Sequence, residues 1–460
     1  MESISGELAK FIEEIAFEDL PEDVIELSRK CILDAIGCAI AGSKEASIQK
    51  LESLIFEMET AQTNSTVIGS SRKSSLLGSI LLNASRADAQ EYSDVNKMVG
   101  SHPGCMVVPT ALNVAEYVGR SGRDLLTAVV LGYEAQRVGI PLSPQAFRDG
   151  LHMPSFNGTF GAMATAGKLL SLSREELTNG FGICAVAPLA PLEACRVGGD
   201  VKDLYTGWAA RTGVFSCLLA KKGFTGTTSV LEGELGLYRE LHSQKDAYTA
   251  LEGLGAEWVI RATCVKPHAS CRFTHSSADA AFDLGKKYNF SIADVDKIEV
   301  ITDTIPFQLN KGSAPSTVID ARFSIPYVVA VMLAKKRPII LEDFSEDALG
   351  DSTLRRLANK VEVKLDTSLD ELYAEPPKGK GFRTAILKIY LRSGRLLENR
   401  VDYPKGDPMN PMTMAEVGEK FRTIAEPVLG KAKADHIVDI VSRLEDVKDC
   451  RPLVGLLSLK

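Results

Sequence analysis

The sequence predicts a mostly α-helical protein with a smaller α+β domain. Three observations predict it: apolar residues recur at three- and four-residue spacing from residue 4 to about 260, strict alternation appears only later, and the helical spacing returns after residue 415. The expected division is an all-helical domain built from both chain ends, 1–265 with 406–460, and an α+β domain over 268–405.

Taken in order, Leu8, Phe11, Ile12 and Ile15 mark a first amphipathic helix, and Val24, Leu27, Cys31 and Ile32 a second. Pro21 is placed to open that second helix and Gly42 to end it with a left-handed cap. Comparable segments follow at about 104–119, 122–138, 156–171, 174–187 and 203–222, joined by short turns containing Gly or Ser. Alternation in 297–301, 361–365 and 384–390 fits strands with one buried face, and helical stretches at about 273–288 and 322–335 lie between them. After the turn-rich Tyr403-Pro404-Lys405-Gly406-Asp407-Pro408, one helical pattern runs from Ala415 to Leu444.

The 460 residues are 45% hydrophobic and 25% charged, an ordinary globular composition with room for two cores. The net charge of −7 argues against a nucleic-acid or membrane-surface partner, since either favours a surplus of Lys and Arg. Nine cysteines without a C-x-x-C pair read as thiols in a reducing cytosol. The start, Met1-Glu2-Ser3, lacks the basic flank and apolar stretch of a signal peptide, and no apolar run approaches ~20 residues, so a soluble cytoplasmic protein is expected.

Three of the six histidines stand in segments punctuated by Gly or Pro or beside the cation cluster: His102 in Ser101-His102-Pro103-Gly104, His152 in Gly150-Leu151-His152, and His275 after Arg272-Phe273-Thr274. Imidazoles held by loops suit proton transfer, while a helix cap or a turn hydrogen bond remains the bland alternative for each. Asp94 lies eight residues before His102, across a polar stretch with Asn96 and Lys97, so a loop could join carboxylate and imidazole. Lys266-Pro267-His268-Ala269-Ser270-Cys271-Arg272-Phe273-Thr274-His275 packs two cations and two imidazoles into ten residues and suggests an anion site; the alternative is a solvated basic helix start. Spacing fits no zinc signature, Gly223-Phe224-Thr225-Gly226-Thr227-Thr228 lacks the P-loop lysine and reads as a turn, and no dinucleotide fingerprint or nucleophile elbow occurs.

In order along the chain, Leu33-Asp34-x-x-Gly37-x-x-x-Ala41-Gly42, Ser101-His102-Pro103-Gly104, Gly150-Leu151-His152, Lys202-Asp203-Leu204-Tyr205-x-Gly207-x-Ala209-Ala210, Gly223-Phe224-Thr225-Gly226 with Leu231-Glu232-Gly233, Lys266 to His275, and Gly406-Asp407-Pro408-x-Asn410-Pro411 resemble the MmgE/PrpD family over nearly the whole chain. The resemblance implies a helical domain with an α+β lid, an active site between them, and a homodimer. It also implies a reaction without metal or organic cofactor on a small polycarboxylate. Members dehydrate 2-methylcitrate, decarboxylate cis-aconitate or epimerise iminodisuccinate, all by moving a proton beside a carboxylate. Carried over by position, it places Asp94, His102, His152, Lys202, Lys266, His275 and Tyr327 at or near the pocket. Lys202, Lys266 and Arg272 are then expected to neutralise substrate carboxylates, with His152 moving the proton, Tyr327 the second candidate, and His102 positioning Asp94.

Two departures bear on the reaction. Tyr92-Ser93-Asp94-Val95-Asn96 stands where relatives commonly carry an aromatic, paired acids and threonine, and Tyr205 stands where a histidine is frequent. Asn96 and Tyr205 are therefore expected to touch substrate. The leading expectation is a lyase resembling 2-methylcitrate dehydratase; the alternatives are a cis-aconitate decarboxylase, an iminodisuccinate epimerase and a catalytically silent small-molecule binding protein.

Overall fold

The computed structural model describes residues 2–59, 63–143, 145–187, 189–197, 199–373 and 383–459. The chain forms two compact units, Met1–Thr263 with Thr413–Lys460, and Cys264–Met412. Helices dominate the first and a four-stranded sheet with helices makes up the second.

The long helices of the first unit are α1 (Ile4–Glu14), α2 (Glu22–Gly42), α3 (Ala46–Met58), α4 (Leu76–Asp88), α5 (Pro103–Val118), α6 (Gly122–Ala135), α7 (Met153–Leu169), α8 (Arg174–Cys184) and α9 (Val201–Ala220). Their starts follow from local chemistry. Ser121 and Ser173 cap α6 and α8 in capping boxes with Asp124 and Glu176, and Ser75 caps α4 through the Gly78 amide. The second half of α2, from Lys30 to Gly42, is continuously buried, as befits a helix enclosed by others. Gly42 is the last residue of α2 and does not adopt the left-handed cap expected of it. A Cβ there would lie 2.0 Å from the Arg86 carbonyl oxygen, so its role is the close approach of α2 to α4. Phe156, Phe160 and Phe181 are fully buried where α7 meets α8, each contributing roughly 1.5–3 kcal/mol by leaving water.

The second unit carries α10 (His275–Lys287) and α11 (Ile325–Lys335), with β1 (Val295–Thr302), β2 (Val361–Leu365), β3 (Ala385–Leu391) and β4 (Leu396–Val401) in sheet order β2-β1-β3-β4. β1 runs parallel to β2 and antiparallel to β3, which pairs antiparallel with β4. In β3 the buried positions alternate as Ala385, Leu387, Ile389 and Leu391. Glu299 on the opposite face accepts from Lys364, Lys297 and Tyr390 across three strands. β4 has no counterpart in the sequence expectation because only Leu397 is buried in it, so it carries little apolar alternation. Back in the first unit, the helical pattern expected from Ala415 to Leu444 forms α12 (Met414–Leu429) and α13 (Lys431–Ser442), separated at Gly430.

Candidate active site

α4 ends at Asp88, and the chain then passes through Glu91 at φ +53°, a left-handed backbone that large L residues seldom adopt. α9 lies against α4 because Gly207 would otherwise place a Cβ 2.4 Å from the Leu81 carbonyl oxygen. This contact brings Lys202, in the first turn of α9, to 3.1 Å from Asp88 Oδ2 and 2.5 Å from Glu91 Oε1. Burial opposes the Lys202 charge, but the two carboxylates outweigh it and hold the ammonium well above its ordinary range. Burial likewise pushes the Asp88 carboxyl up, yet Lys202, His102 and His152 leave it below its ordinary value. Lys202 is thus held between two carboxylates, and a substrate carboxylate that reaches it competes with Asp88 and Glu91.

His102 and His152 occupy the N-cap positions of α5 and α7, and neither side chain makes a capping bond. The cap half of the bland reading is thereby removed, while its other half, a local hydrogen bond of each ring, is present. The His152 backbone N–H donates to the Ala190 carbonyl at 2.9 Å, its Nδ1 pairs with Ser155 Oγ at 2.7 Å, and its ring lies 5.1 Å from that of Tyr205. Among the described residues nothing bonds its Nε2. Burial, with Lys202 and His102 nearby and Asp88 opposing, lowers the His152 pKa to about 4, so the ring is neutral near pH 7. Half-buried Tyr205 donates to the Pro191 carbonyl at 2.9 Å, which sets its ring beside His152.

The loop before α5 differs from expectation. His102 Nδ1 lies 2.6 Å from the Asp94 main-chain oxygen, not from the carboxylate. A carbonyl only accepts, so Nδ1 carries the proton of this bond. The Asp94 carboxylate, 1% exposed, accepts from the Gly104 amide at 3.0 Å and the Tyr133 hydroxyl at 2.7 Å. Burial foremost, with Asp34 adding, raises its pKa to about 7 against the lowering by Tyr133, Gly104 and Lys420. Asp94 therefore positions His102, the reverse of the expected relation. The Asn96 amide donates to the Val259 carbonyl and Thr263 and accepts from Met98 and Val99, so in this structure it knits the loop.

In the second unit, His275 Nδ1 accepts from Arg272 and its Nε2 donates to the Ser270 carbonyl. Burial and the cations Arg272 and Lys266 drive its pKa well down, so it is a neutral structural ring. Arg272 also donates to the Lys405 and Pro404 carbonyls, tying the 404–407 turn to the start of α10. His268 is held between Asp279 and the Ile339 amide. Tyr327 is buried with its hydroxyl donated to the Asp343 carbonyl at 2.8 Å. Lys266 is almost wholly buried beside this knot.

The sequence reading missed Asp88 and Glu91. A signal existed: two acids at the C-terminal end of a helix sit where the macrodipole disfavours them and need a compensating cation. Among the described residues no group of His, Cys, Asp and Glu is arranged to hold a metal ion, and no helix is long and apolar enough to cross a membrane.

Comparison with known proteins agrees with the motifs. The MmgE/PrpD N-terminal domain matches residues 6–249 and the MmgE/PrpD C-terminal domain residues 268–446. The cis-aconitate decarboxylase-like protein oryM of Aspergillus oryzae is 27% identical over 99% of this chain and 97% of its own length. The cis-aconitate decarboxylase of Homo sapiens is 26% identical, covering 99% and 95%. A probable 2-methylcitrate dehydratase of Saccharomyces cerevisiae is 23% identical, covering 88% and 82%. With both domains matched over most of its length, the chain belongs to the MmgE/PrpD family.

Proposed function

We propose that the chain is a cofactor-independent lyase that takes a proton from carbon beside a carboxylate of a small di- or tricarboxylic acid, in the manner of a 2-methylcitrate dehydratase. The observation that carries this reading is the pair of loop-held imidazoles next to the Asp88–Lys202–Glu91 group: His102 oriented by its Nδ1 bond to the Asp94 carbonyl, and His152 kept neutral with Nε2 unbonded among the described residues. A neutral imidazole takes the proton, the negative charge that develops on the adjoining carboxylate is met by Lys202, and the C–O bond breaks. The imidazolium then returns the proton to the leaving hydroxide as water. Lys266 keeps the carboxylate-binding role that the resemblance implies.

Decarboxylation of cis-aconitate is the second reading, favoured by the relatives of that name that match 99% of the chain. It uses the same groups in another order. Loss of carbon dioxide leaves an electron pair on carbon, which an imidazolium protonates; substrate carboxylates beside His152 would raise its proton affinity for that step. Incubation with 2-methylcitrate, citrate, cis-aconitate and iminodisuccinate, following ultraviolet absorbance, carbon dioxide and optical rotation, separates dehydration, decarboxylation and epimerisation. No change with any of the four leaves the binding-protein alternative. Nine free cysteines, eight of them buried, suit a cytoplasmic setting. The homodimer implied by the resemblance belongs to the same proposal, and a monomeric mass by light scattering removes it.

A further inference from the structure

Lys420, on α12 near the far end of the chain, is almost wholly buried in the first unit. Its ammonium lies 2.6 Å from Asp34 Oδ1 on α2, 2.9 Å from the Tyr92 carbonyl oxygen and 3.7 Å from the centre of the Tyr92 ring. We propose that Lys420 is a positioning residue for His102, acting through the 92–102 loop.

The path is short and continuous. Lys420 holds the carbonyl of Tyr92; two residues on, the carbonyl of Asp94 holds His102 Nδ1 while the Asp94 carboxylate anchors Gly104 at the start of α5. Asn96 closes the loop by pairing with Ser101 and by its side-chain bonds to Met98 and Val99. The loop thus has fixed points at both ends, and its first is a cation supplied from a helix more than three hundred residues later in the sequence. A buried pair of this kind is weak evidence for stability, because desolvation offsets much of its Coulombic gain. Its geometric consequence is different: the ammonium is shared between Asp34 and a main-chain carbonyl, so it sets where the loop runs. The nearby acids are then divided by contact, Asp34 with Lys420 and Asp94 with Tyr133 and Gly104. The Leu33-Asp34 motif acquires a reason in this arrangement: Asp34 orients the lysine that orients the loop.

The inference deepens the acid/base reading of His102 and rests on it for its effect on turnover, but its structural part is measurable without activity. With histidine isotopically labelled, only six ring pairs are present, and the His102 signals are identified by their loss in His102→Gln. The expected result is a single Nδ1-protonated tautomer in the wild type and in Lys420→Arg, whose guanidinium can still reach the Tyr92 carbonyl, and a mixture of tautomers in Lys420→Met. Lys420→Met should also lose about 10²-fold in kcat with KM little changed, as expected for a misplaced reacting group, and Lys420→Arg should recover most of it. If Lys420→Met fails to fold because Asp34 is left buried and unpaired, the Asp34→Asn and Lys420→Met double variant removes both charges and takes its place in every measurement. An unaltered His102 tautomer together with unaltered kcat in a folded variant lacking the ammonium overturns the inference. A wild type inactive on every acid tested overturns the functional reading instead, and the tautomer measurement still decides the role of Lys420.

Discussion

The two units each gather imidazoles around cations, yet they leave those groups in different states. In the second, both ring nitrogens of His268 and of His275 are bonded within the unit, and Arg272 is engaged with main-chain carbonyls. In the first, His152 keeps Nε2 unbonded among the described residues, His102 has its tautomer set by a main-chain oxygen, and Lys202 is bracketed by two acids. A buried polar group whose hydrogen-bonding capacity is filled contributes to the fold, and one left with capacity beside opposed charges is available to a ligand. In the ten-residue cation-rich segment that stood out in the sequence, the two imidazoles are the filled groups.

Substitution of single histidines tests that contrast most strongly. His102→Gln and His152→Gln should each lose roughly 10²–10⁴-fold in kcat with little change in melting temperature. His275→Gln should keep near-normal turnover and lose about 1–3 kcal/mol of stability, since Arg272 and the Ser270 carbonyl lose their partner. A His275 variant that is inactive but fully stable would break the comparison.

The next effect is on stability against pH. The Asp94 carboxyl titrates near 7 in the fold against 3.8 as its ordinary value. Between those values the folded state holds a proton that the unfolded state has released, so this group's contribution falls as pH rises from about 4 to about 7, by about 4 kcal/mol in all. His152, lowered to about 4, acts oppositely: its contribution is full above about 6.5 and is lost as pH falls to about 4. Urea unfolding of wild type and Asp94→Asn across this range isolates Asp94 in the difference. A difference that does not vary with pH would show that the carboxyl titrates alike in both states.

The smallest expected effect sharpens the description of the first cluster. If a substrate carboxylate takes the place of Glu91 on Lys202, Glu91→Gln removes the competitor and should lower KM about 2–5-fold, the worth of a partly exposed ion pair. A raised KM would instead make Glu91 part of the binding surface.

Much of the architecture was legible from residue spacing. The helices α5 to α9 and the strands β1 to β3 lie within a few residues of their expected positions, because each presents one apolar face at helical or strand period. β4 and the break at Gly430 were not legible, the first because only one of its residues is buried, the second because the apolar pattern continues through the break. Local sequence also determined that His102 and His152 stand at loop-to-helix junctions, each followed within two residues by a proline that opens a helix. What those groups do was decided by tertiary structure alone. Whether Lys202 is an open cation depends on Asp88 and Glu91 across a helix contact, whether Arg272 is available depends on carbonyls more than a hundred residues away, and the line from Lys420 to His102 joins the two chain ends. Spacing along a chain determines which face of an element is apolar. The protonation and free valence of a buried polar group depend on every charge and hydrogen-bond partner within a few ångströms, and only the folded chain sets those.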